Sequence, residues 1–311
     1  QRCWLVCHPS VSPGRQAQLL TALEQPTERT SAFSLTTPFG ADQSQSQYAA
    51  AFERIQQYIH AGDCYQINLA QRFSATFSGD PLEAYTRLRE RSPTPFSAYL
   101  EIPGGALLSL SPERFIEVRE GRVETRPIKG TRPRGQSADE DHALAQELLG
   151  CNKDRAENLM IVDLLRNDLG RSCQPGSIRV PELFSLESYP NVHHLVSSVT
   201  GQLRDDCDAI DLLMRAFPGG SITGAPKIRA MQIIEELEPV RRSLYCGSVG
   251  YLGCEGQMDF NIAIRSLICH GQRIHCWGGG GIVADSVMEL EYQETLTKVG
   301  NLLNTLQPAC P

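Results

Sequence analysis

The chain of 311 residues is 41% hydrophobic and 21% charged, a composition that can bury a sizeable core in one large domain or two interlocked ones. Its formal net charge of -7 gives no global basic field, which argues against recruitment to nucleic acid or to an anionic membrane surface. No apolar run approaches the ~20 residues that span a bilayer, and no signal peptide is recognisable.

Cysteine usage indicates a reducing compartment. The eleven cysteines are odd in number, and they form neither a Cys-x-x-Cys pair nor a Cys/His set at zinc spacing. We therefore expect reduced core thiols in a cytoplasmic protein. The first residue is Gln1 and not methionine, which favours a chain that begins inside a larger protein.

The predicted elements, taken in chain order, alternate runs of strands with clusters of helices. Residues 24–48 are rich in Gln, Ser, Thr and Pro and are expected to form a linker or mobile loop. Strands are predicted at 65–77, 96–102, 105–110, 113–119 and 122–128, and as a meander across 245–284. Helices are predicted at 49–60, 138–149, 152–168, 208–217, 226–237 and 286–306. This order favours α+β layering over an alternating parallel fold.

Two predicted helices carry matching acidic pairs. Asp154 and Glu157 lie three residues apart on one helix, and Glu291 and Glu294 lie three apart on the last one, so each pair shares a helix face. Lys298 lies on the same face as the second pair. Four facing carboxylates repel each other unless a cation or protons intervene, and an oxygen-only site suits Mg²⁺. The alternative is two solvated helix faces with ordinary ion pairs.

Two glycine segments and a histidine pair also stand out. Residues 219–227 contain Gly-x-x-x-x-Gly, but Ala225-Pro226 follows where a P-loop needs Lys and Ser/Thr, so a nucleotide site is disfavoured. The segment still leads into a helix N-terminus that can face an anion. Residues 278–281 are expected to form a tight turn, with a backbone nest for a carboxylate as the alternative. His193-His194 is interpreted as one core and one exposed histidine.

Lys129 lies in the basic segment of residues 127–135, between Pro127 and Gly130. A bend fixed by proline, followed by a glycine, lets the backbone hold the lysine side chain in one direction, whereas a solvated surface lysine is not held in this way. A lysine amine that is desolvated near other cations loses its proton more readily and can become a covalent nucleophile. From this segment alone, the alternative is a solvated charge in a basic loop.

Five motifs together resemble the chorismate-utilising enzymes, which include anthranilate, aminodeoxychorismate, isochorismate and salicylate synthases. The motifs are Ser111-Pro112-Glu113-Arg114, Lys153-Asp154-Arg155-Ala156-Glu157-Asn158, residues 219–227, residues 278–283 and Glu291-Tyr292-Gln293-Glu294-Thr295. They occur in the family's order, and the match as a whole runs from about Tyr48 to Leu306. The resemblance implies an α+β fold in which two large, mostly antiparallel β-sheets pack as a sandwich with helices outside. It also implies a remnant N-terminal subdomain plus linker at residues 1–47 and a chorismate-binding catalytic domain at residues 48–311.

Two positions narrow the reaction within the family. Residues 127–131, Pro-Ile-Lys-Gly-Thr, resemble the component I enzymes of aminodeoxychorismate synthesis, whereas anthranilate synthases usually carry alanine at the Lys129 position. Gln66 stands where isochorismate and salicylate synthases place a water-activating lysine, so hydroxylation at C2 is disfavoured. The resemblance implies conversion of chorismate and ammonia to 4-amino-4-deoxychorismate, for p-aminobenzoate and folate synthesis. The ammonia would come from a partner glutaminase (amidotransferase) subunit.

Two alternatives remain beside this reaction. The first is the component I reaction of anthranilate synthesis, in which ammonia attacks C2 and pyruvate is eliminated. The second is a non-catalytic ligand-binding subunit that keeps the fold. The joint presence of Glu113, Lys129, Glu157 and Glu294 argues against the second, because a binding protein needs no acid and nucleophile together.

The resemblance also assigns the metal site. Glu157 and Glu294 match direct Mg²⁺ ligands, with Asp154 and Glu291 beside them or bound through water, and the metal would hold the ring carboxylate of chorismate. Binding of Mg²⁺ would thus explain why two pairs of mutually repelling carboxylates are present.

The catalytic residues follow from the same resemblance. Glu113 matches the general acid that protonates the departing C4 hydroxyl, Lys129 would attack C2 as that hydroxyl leaves, and His194 matches a histidine near the reacting carbon. Positions that hold the substrate in relatives are Gly130, Thr131, Ser221, Tyr245, Arg265, Gly279 and Lys298, of which Arg265 is the expected bidentate carboxylate ligand. Pro95, Phe96 and Ser97 match half of a tryptophan pocket.

Overall fold

The computed structural model describes residues 4–25, 31–189 and 192–307, which form an α+β arrangement of two antiparallel sheets with helices packed against them. The helices of this described part are α1 (Pro13–Glu24), α2 (Gln45–His60), α3 (Pro81–Arg91), α4 (Ala138–Gly150), α5 (Asn152–Gly170), α6 (Ala209–Ala216), α7 (Lys227–Leu237) and α8 (Met288–Leu306). A short 3-10 helix spans Gly220–Ile222. The fold class predicted from the resemblance is confirmed.

The strands, in chain order, are β1 (Ser34–Leu35), β2 (Gly40–Ala41), β3 (Gln66–Ser78), β4 (Phe96–Ile102), β5 (Gly105–Ser111), β6 (Arg114–Arg119), β7 (Arg122–Arg126), β8 (Ile128–Pro133), β9 (Arg179–Ser188), β10 (Val192–Gln202), β11 (Gly224–Ala225), β12 (Gly250–Leu252), β13 (Met258–Asn261), β14 (Ser266–His270) and β15 (Arg273–Ile282). The eight-stranded sheet runs β1-β3-β15-β14-β5-β4, with β2 and β11 also paired to β3. The seven-stranded sheet runs β12-β13-β6-β7-β10-β8, with β9 also paired to β10.

The two sheets face each other across a shared hydrophobic core. Ala70 and Trp277 of the eight-stranded sheet join Phe115 and Val199 of the seven-stranded sheet in one buried cluster. A second cluster fills the space between the larger sheet and helices α3 and α8, and a third joins α2 and α7 to β3. Burial of such apolar surface is the main favourable contribution to folding. The core therefore fixes how the sheets, and the residues at their ends, are placed.

Local signals explain several helix boundaries. Ser44 caps α2 in a capping box with Gln47, so two free backbone N–H groups at the helix start are satisfied reciprocally. Asp80 caps α3 and Pro81 occupies its first turn, a position where the missing proline N–H costs nothing. Helix α3 has these sequence signals but was not among the predicted elements.

Two chain crossings between the sheets lie side by side. The chain leaves the larger sheet after β5 and enters the smaller one at β6, and it returns between β13 and β14. The hydroxyl of Ser111 donates to the carbonyl of Ile262 at 2.6 Å, and the Ile262 N–H donates to the carbonyl of Glu113 at 3.0 Å. These bonds hold Glu113 at the junction of the two sheets.

The predicted helices are all present with ends shifted by a few residues, whereas two strand predictions need correction and several strands were not predicted. The expected meander over 245–284 is divided, because β12 and β13 belong to the smaller sheet and β14 and β15 to the larger one. The strand expected over 122–128 ends at Arg126, and Lys129 lies on a separate strand, β8. Strands β9 and β10 were not predicted, since β10 is buried along most of its length and its histidines, serines and threonine show no apolar alternation.

Two further expectations concern loops. Residues 278–281 form no tight turn but extend β15, where a side chain on Gly278 would meet the Thr295 carbonyl of α8 at 2.5 Å. The glycines therefore allow α8 to lie close against the strand. Within the expected linker, β1 and β2 pair with β3 and Phe33 is buried, while residues 26–30 lie outside the described residues. The domain boundary at residue 48 stays a prediction.

Candidate active site

The candidate site is built around the buried carboxyl of Glu113, which is 5% exposed. The Ser221 hydroxyl donates to Glu113 Oε1 at 2.8 Å, and the Lys129 ammonium donates to the Ser221 carbonyl at 3.2 Å. The predicted acid, the predicted nucleophile and the glycine-rich segment of residues 219–227 thus meet. They come from the crossing between β5 and β6, from β8 and from the 3-10 helix.

Burial sets the protonation of this acid. Desolvation raises the pKa of Glu113 above its usual range, and the charge of Lys129 and the hydrogen bond from Ser221 oppose that shift without cancelling it. Lys298 and Arg265 also contribute positive charge here. A carboxyl whose pKa is raised holds its proton closer to neutral pH, as a general acid requires.

A carboxylate cluster of Glu157, Glu291 and Glu294 lies on helices α5 and α8. Lys153 Nζ lies 3.9 Å from Glu157 Oε1 and 3.4 Å from Glu291 Oε1, so one ammonium joins the two helices. The Ser286 hydroxyl donates to Glu291 Oε1 at 2.7 Å. Burial raises the pKa of Glu157, and the charges of Lys129 and Lys153 oppose that shift.

Glu294 and Lys298 form an ion pair one turn apart on α8, and the Lys298 ammonium also donates to the Gly279 carbonyl at 2.9 Å. Burial would raise the pKa of Glu294, but Lys298 and the more distant lysines hold it below its usual value. A side chain on Gly280 would lie 3.1 Å from Glu291 Oε2 and 3.6 Å from Glu294 Oε1. The glycine run of β15 therefore leaves space for these carboxylates.

Asp154 faces a different part of the site. It pairs with Arg132 of β8, Oδ2 to Nη2 at 3.2 Å, and a side chain on Gly130 would meet its Cγ at 2.9 Å. Gly130 has a φ of 83°, which a residue with a side chain rarely adopts. Gly130 is thus required both by its backbone conformation and by the approach of Asp154 to the strand that carries Lys129.

His194 and Thr131 are paired across strands β10 and β8, with His194 Nδ1 and Thr131 Oγ1 2.9 Å apart. Burial, together with the charge of Arg265, lowers the pKa of His194 to about 4. The imidazole is therefore neutral at physiological pH. Its neighbour His193 is buried as well and lies 3.0 Å from Asp141, so the expectation of one exposed histidine is wrong.

Tyr245 and Arg265 line the side of the site that faces β15. Tyr245 is 6% exposed, stacks on Trp277 with ring centroids 6.2 Å apart, and has its hydroxyl 2.9 Å from where a Gly279 side chain would begin. Arg265 follows β13 in the left-handed region, φ 50°, a conformation that costs energy for a residue with a side chain. Burial lowers its guanidinium pKa, although Tyr245 and other neighbours oppose that effect.

Pro95, Phe96 and Ser97 lie at the start of β4, away from the carboxylates. Phe96 packs beneath the Arg114 guanidinium at 5.3 Å, and its carbonyl accepts a hydrogen bond from Asn261 at 3.0 Å. The expectation that these residues form half of a tryptophan pocket stays a prediction.

The sequence analysis missed Lys153, Arg132 and Ser286 as partners of the acidic residues. Lys153 precedes Glu157 by four positions, a spacing that brings two side chains together on a helix and that could have identified this pair. The contacts of Arg132 with Asp154 and of Ser286 with Glu291 depend on tertiary packing.

Within residues 4–25, 31–189 and 192–307, no three His, Cys, Asp or Glu side chains lie close enough together to hold a metal ion. No helix there combines the length and hydropathy needed to cross a bilayer. All nine cysteines there are free thiols, while Cys3 and Cys310 lie outside this part of the chain.

A buried acid, an amine beside it, further cations and clustered carboxylates meet at the junction of two sheets, which is the composition of an enzyme centre for an anionic substrate. Comparison with known proteins gives the family. The chain belongs to the chorismate binding enzymes, whose family description matches residues 6–304.

Individual relatives agree with that assignment. The chain is 53% identical over 292 residues to the aminodeoxychorismate synthase component 1 of Klebsiella aerogenes, covering 94% of this chain and 65% of that protein. It is 45% identical over 266 residues to the anthranilate synthase component 1 of Aquifex aeolicus, covering 86% and 54%. The crystal structure of anthranilate synthase component I from Streptococcus pneumoniae TIGR4 superposes with a TM-score of 0.82 at 37% identity, covering 92% and 64%. The chain thus spans less than two thirds of the length of each.

Proposed function

We propose that this chain carries the catalytic centre of an aminodeoxychorismate synthase component 1 and converts chorismate and ammonia to 4-amino-4-deoxychorismate. The observation that carries the proposal is the meeting of Lys129, Ser221 and the buried acid Glu113, joined by contacts of 3.2 and 2.8 Å. The 53% identity to the Klebsiella aerogenes relative supports it. Glu113 and Lys129 each bond to Ser221, which brings an acid and an amine to one site, as a displacement at an allylic alcohol requires.

The proposed chemistry is two successive allylic displacements. Glu113 delivers its proton to the C4 hydroxyl of chorismate, which leaves as water while the deprotonated amine of Lys129 bonds to C2 and both ring double bonds shift by one position. Ammonia then bonds to C4, both double bonds shift back, the bond between C2 and the lysine nitrogen breaks to release a neutral amine, and the new ammonium at C4 returns one proton to Glu113. The new C–N bond stands where the hydroxyl stood. Arg265 and Lys298 supply positive charge for the substrate carboxylates.

Mg²⁺ fits the donor chemistry of the carboxylate cluster. Glu157, Glu291 and Glu294 offer only oxygen donors, which Mg²⁺ prefers, and the half-exposed Lys153 that joins two of them has a flexible side chain. Glu157 and Glu294 would bind the ion directly, with Glu291 and Asp154 beside them. When bound, Mg²⁺ would neutralise this cluster and hold the ring carboxylate of chorismate.

Anthranilate synthesis is the second candidate, because the chain is also 45% identical to the Aquifex aeolicus anthranilate synthase component 1. The two reactions share the acid and the carboxylates and differ in what bonds to C2. Lys129 favours aminodeoxychorismate, since an amine placed beside Glu113 competes with ammonia for that carbon. A non-catalytic role has less support, because a binding protein gains nothing from a buried acid beside an amine.

We further propose that the ammonia comes from a glutaminase partner in the cytoplasm. The relatives named component 1 imply a second component, and the free thiols of the described cysteines suit a reducing compartment.

Product analysis tests the proposed function. Wild-type protein mixed with chorismate, Mg²⁺ and ammonium should release 4-amino-4-deoxychorismate, identified by chromatography and mass. Anthranilate with pyruvate as the only products would support the second candidate instead. Unchanged chorismate at every ammonium concentration would contradict both reactions for this chain.

The carboxylate cluster leads to a prediction about metal. Glu157→Gln should raise the Mg²⁺ concentration for half-maximal turnover, because it removes one charged oxygen donor. Mg²⁺ should also raise the unfolding temperature of the wild type, since a ligand that binds only the folded state stabilises it, and the variant should lose most of this gain. Asp163→Asn, an exposed carboxylate on the same helix, is the matched control. Equal Mg²⁺ responses in all three proteins would rule out Glu157 as a ligand.

A further inference from the structure

The segment that carries Ser221 is held from behind by a buried ion pair outside the catalytic set. Arg242 donates through Nε and Nη2 to both carboxylate oxygens of Glu238, at 2.8 and 2.6 Å. The two side chains are 13% and 5% exposed. A bidentate pair of this kind fixes both side chains in one geometry.

The remaining donors of Arg242 reach the active-site segment and β3. Nη1 donates to the Ile222 carbonyl at 2.9 Å, and Nη2 donates to the Asn68 carbonyl at 2.5 Å. Glu238 accepts from the Ala70 N–H at 2.9 Å. One ion pair therefore connects the residue next to Ser221 with two residues of the longest strand in the larger sheet.

This segment is buried, but its packing is incomplete on one side. A partly open cavity of about 240 Å³ lies behind it, lined in part by Phe217, Ile222, Thr223 and Arg242. Interiors normally hold their chains by close packing, and a gap on one side removes that restraint. The position of the segment then depends on its hydrogen bonds, which include the bond from Arg242 to the Ile222 carbonyl, the bond from the Asn68 N–H to the Thr223 carbonyl at 2.8 Å and the pairing of β11 with β3.

We propose that Glu238 and Arg242 are positioning residues for the active site, which hold the Ser221 segment on β3 so that the Ser221 hydroxyl reaches Glu113 and its carbonyl reaches Lys129. Loss of the pair lets the segment shift toward the cavity and separates the acid and the amine from their shared partner. A displacement of about 1 Å at reacting groups costs up to about 10²-fold in rate. The kinetic effect of losing this ion pair rests on the proposed function, whereas the movement of the segment does not.

The test variant is the double substitution Glu238→Gln with Arg242→Met. It keeps side-chain volume and an acceptor for the Ala70 N–H, and replacing both members of a buried ion pair leaves no lone charge behind. The control is Asp63→Asn with Arg229→Met, which removes the 2.9 Å ion pair between Asp63 and Arg229 of α7, whose side chains do not bond to the Ser221 segment.

Hydrogen exchange gives the readout that is independent of catalysis. The amides of residues 219–225 and the Asn68 amide should exchange faster in the test variant than in the wild type or the control. Unchanged exchange would overturn the proposal, even if the wild type did not convert chorismate. If the double variant does not fold, Arg242→Lys carries the same test, because it keeps the charge but cannot reach three acceptors at once.

Kinetics then separate positioning from general stability. The test variant should lose about tenfold to a hundredfold in kcat with little change in KM, and the control should behave as the wild type. In a Ser221→Ala background, the double substitution should lower kcat by a smaller factor than it does in the wild type, because both changes remove the same contact to Glu113. Losses that multiply independently, or an unchanged kcat, would overturn the proposal. A wild type without chorismate turnover would refute the proposed function and leave the exchange result to decide this inference.

Discussion

Glu113→Gln is expected to lower kcat by about 10² to 10⁴-fold with little change in chorismate binding, the range typical of a lost general acid. Glutamine keeps the size of the side chain and still accepts the 2.8 Å hydrogen bond from Ser221, but it has no proton to give to the C4 oxygen. Steady-state kinetics and equilibrium binding of chorismate are the measurements. A change confined to binding would mean that Glu113 only positions the ring.

The pH dependence of the free energy of unfolding provides a control on the Glu113→Gln variant. The folded-state pKa of Glu113 is raised, so between its unfolded and folded values the folded protein binds more protons than the unfolded chain. Its contribution to the free energy of unfolding is present below the unfolded pKa and is lost as pH rises through the folded one. Glu113→Gln has no such titration, so its stability should decline less than that of the wild type as pH rises. Parallel curves would indicate that Glu113 is not desolvated.

Lys129→Ala is expected to abolish a covalent intermediate. Wild-type protein mixed with chorismate without ammonia should trap an adduct with the mass of chorismate less one water, on the peptide that contains Lys129. The alanine variant should carry no adduct, should turn over slowly, and should leak C2-aminated product including anthranilate, because Glu113 and the carboxylate cluster remain. Peptide mass spectrometry and product chromatography measure both effects.

Two controls separate the nucleophile from a simple positive charge. Lys129→Arg keeps the charge next to Ser221 but cannot form the adduct, so it should be as slow as the alanine variant. Lys153→Ala removes an ammonium from the carboxylate cluster and should still form the adduct on Lys129. An unmodified wild type, together with wild-type rates of aminodeoxychorismate formation in Lys129→Ala, would reduce Lys129 to an electrostatic role.

The helices could be predicted from sequence because their signals are local. Apolar periodicity and the spacing of acidic residues identified α5 and α8, and the pairs Asp154/Glu157 and Glu291/Glu294 lie on them as expected. Strand β10 lacked a local signal, since a strand buried on both faces loses the alternation that reveals a strand covered on one face.

Sequence motifs also pointed to Glu113, Lys129 and Ser221 as candidate site residues, but the contacts of these residues depend on the fold. Ser221 meets Lys129 and Glu113 across 92 and 108 positions of the chain, and no local spacing predicts such pairs. The glycines of residues 278–281 resemble a turn when they are considered alone, and only the approach of α8 explains why they form a strand.

The sequence by itself determined the residue types and their order: a family, an acid, an amine, two acidic helix faces and a glycine-rich segment. Only the tertiary structure decided which of them touch. Strand register and the two crossings between the sheets place Glu113 at their junction, and Glu238 and Arg242 hold the segment that reaches it. The physical reason is that propensity and spacing act over a few residues, whereas burial, desolvation and ion pairing at this site arise between segments far apart in the chain.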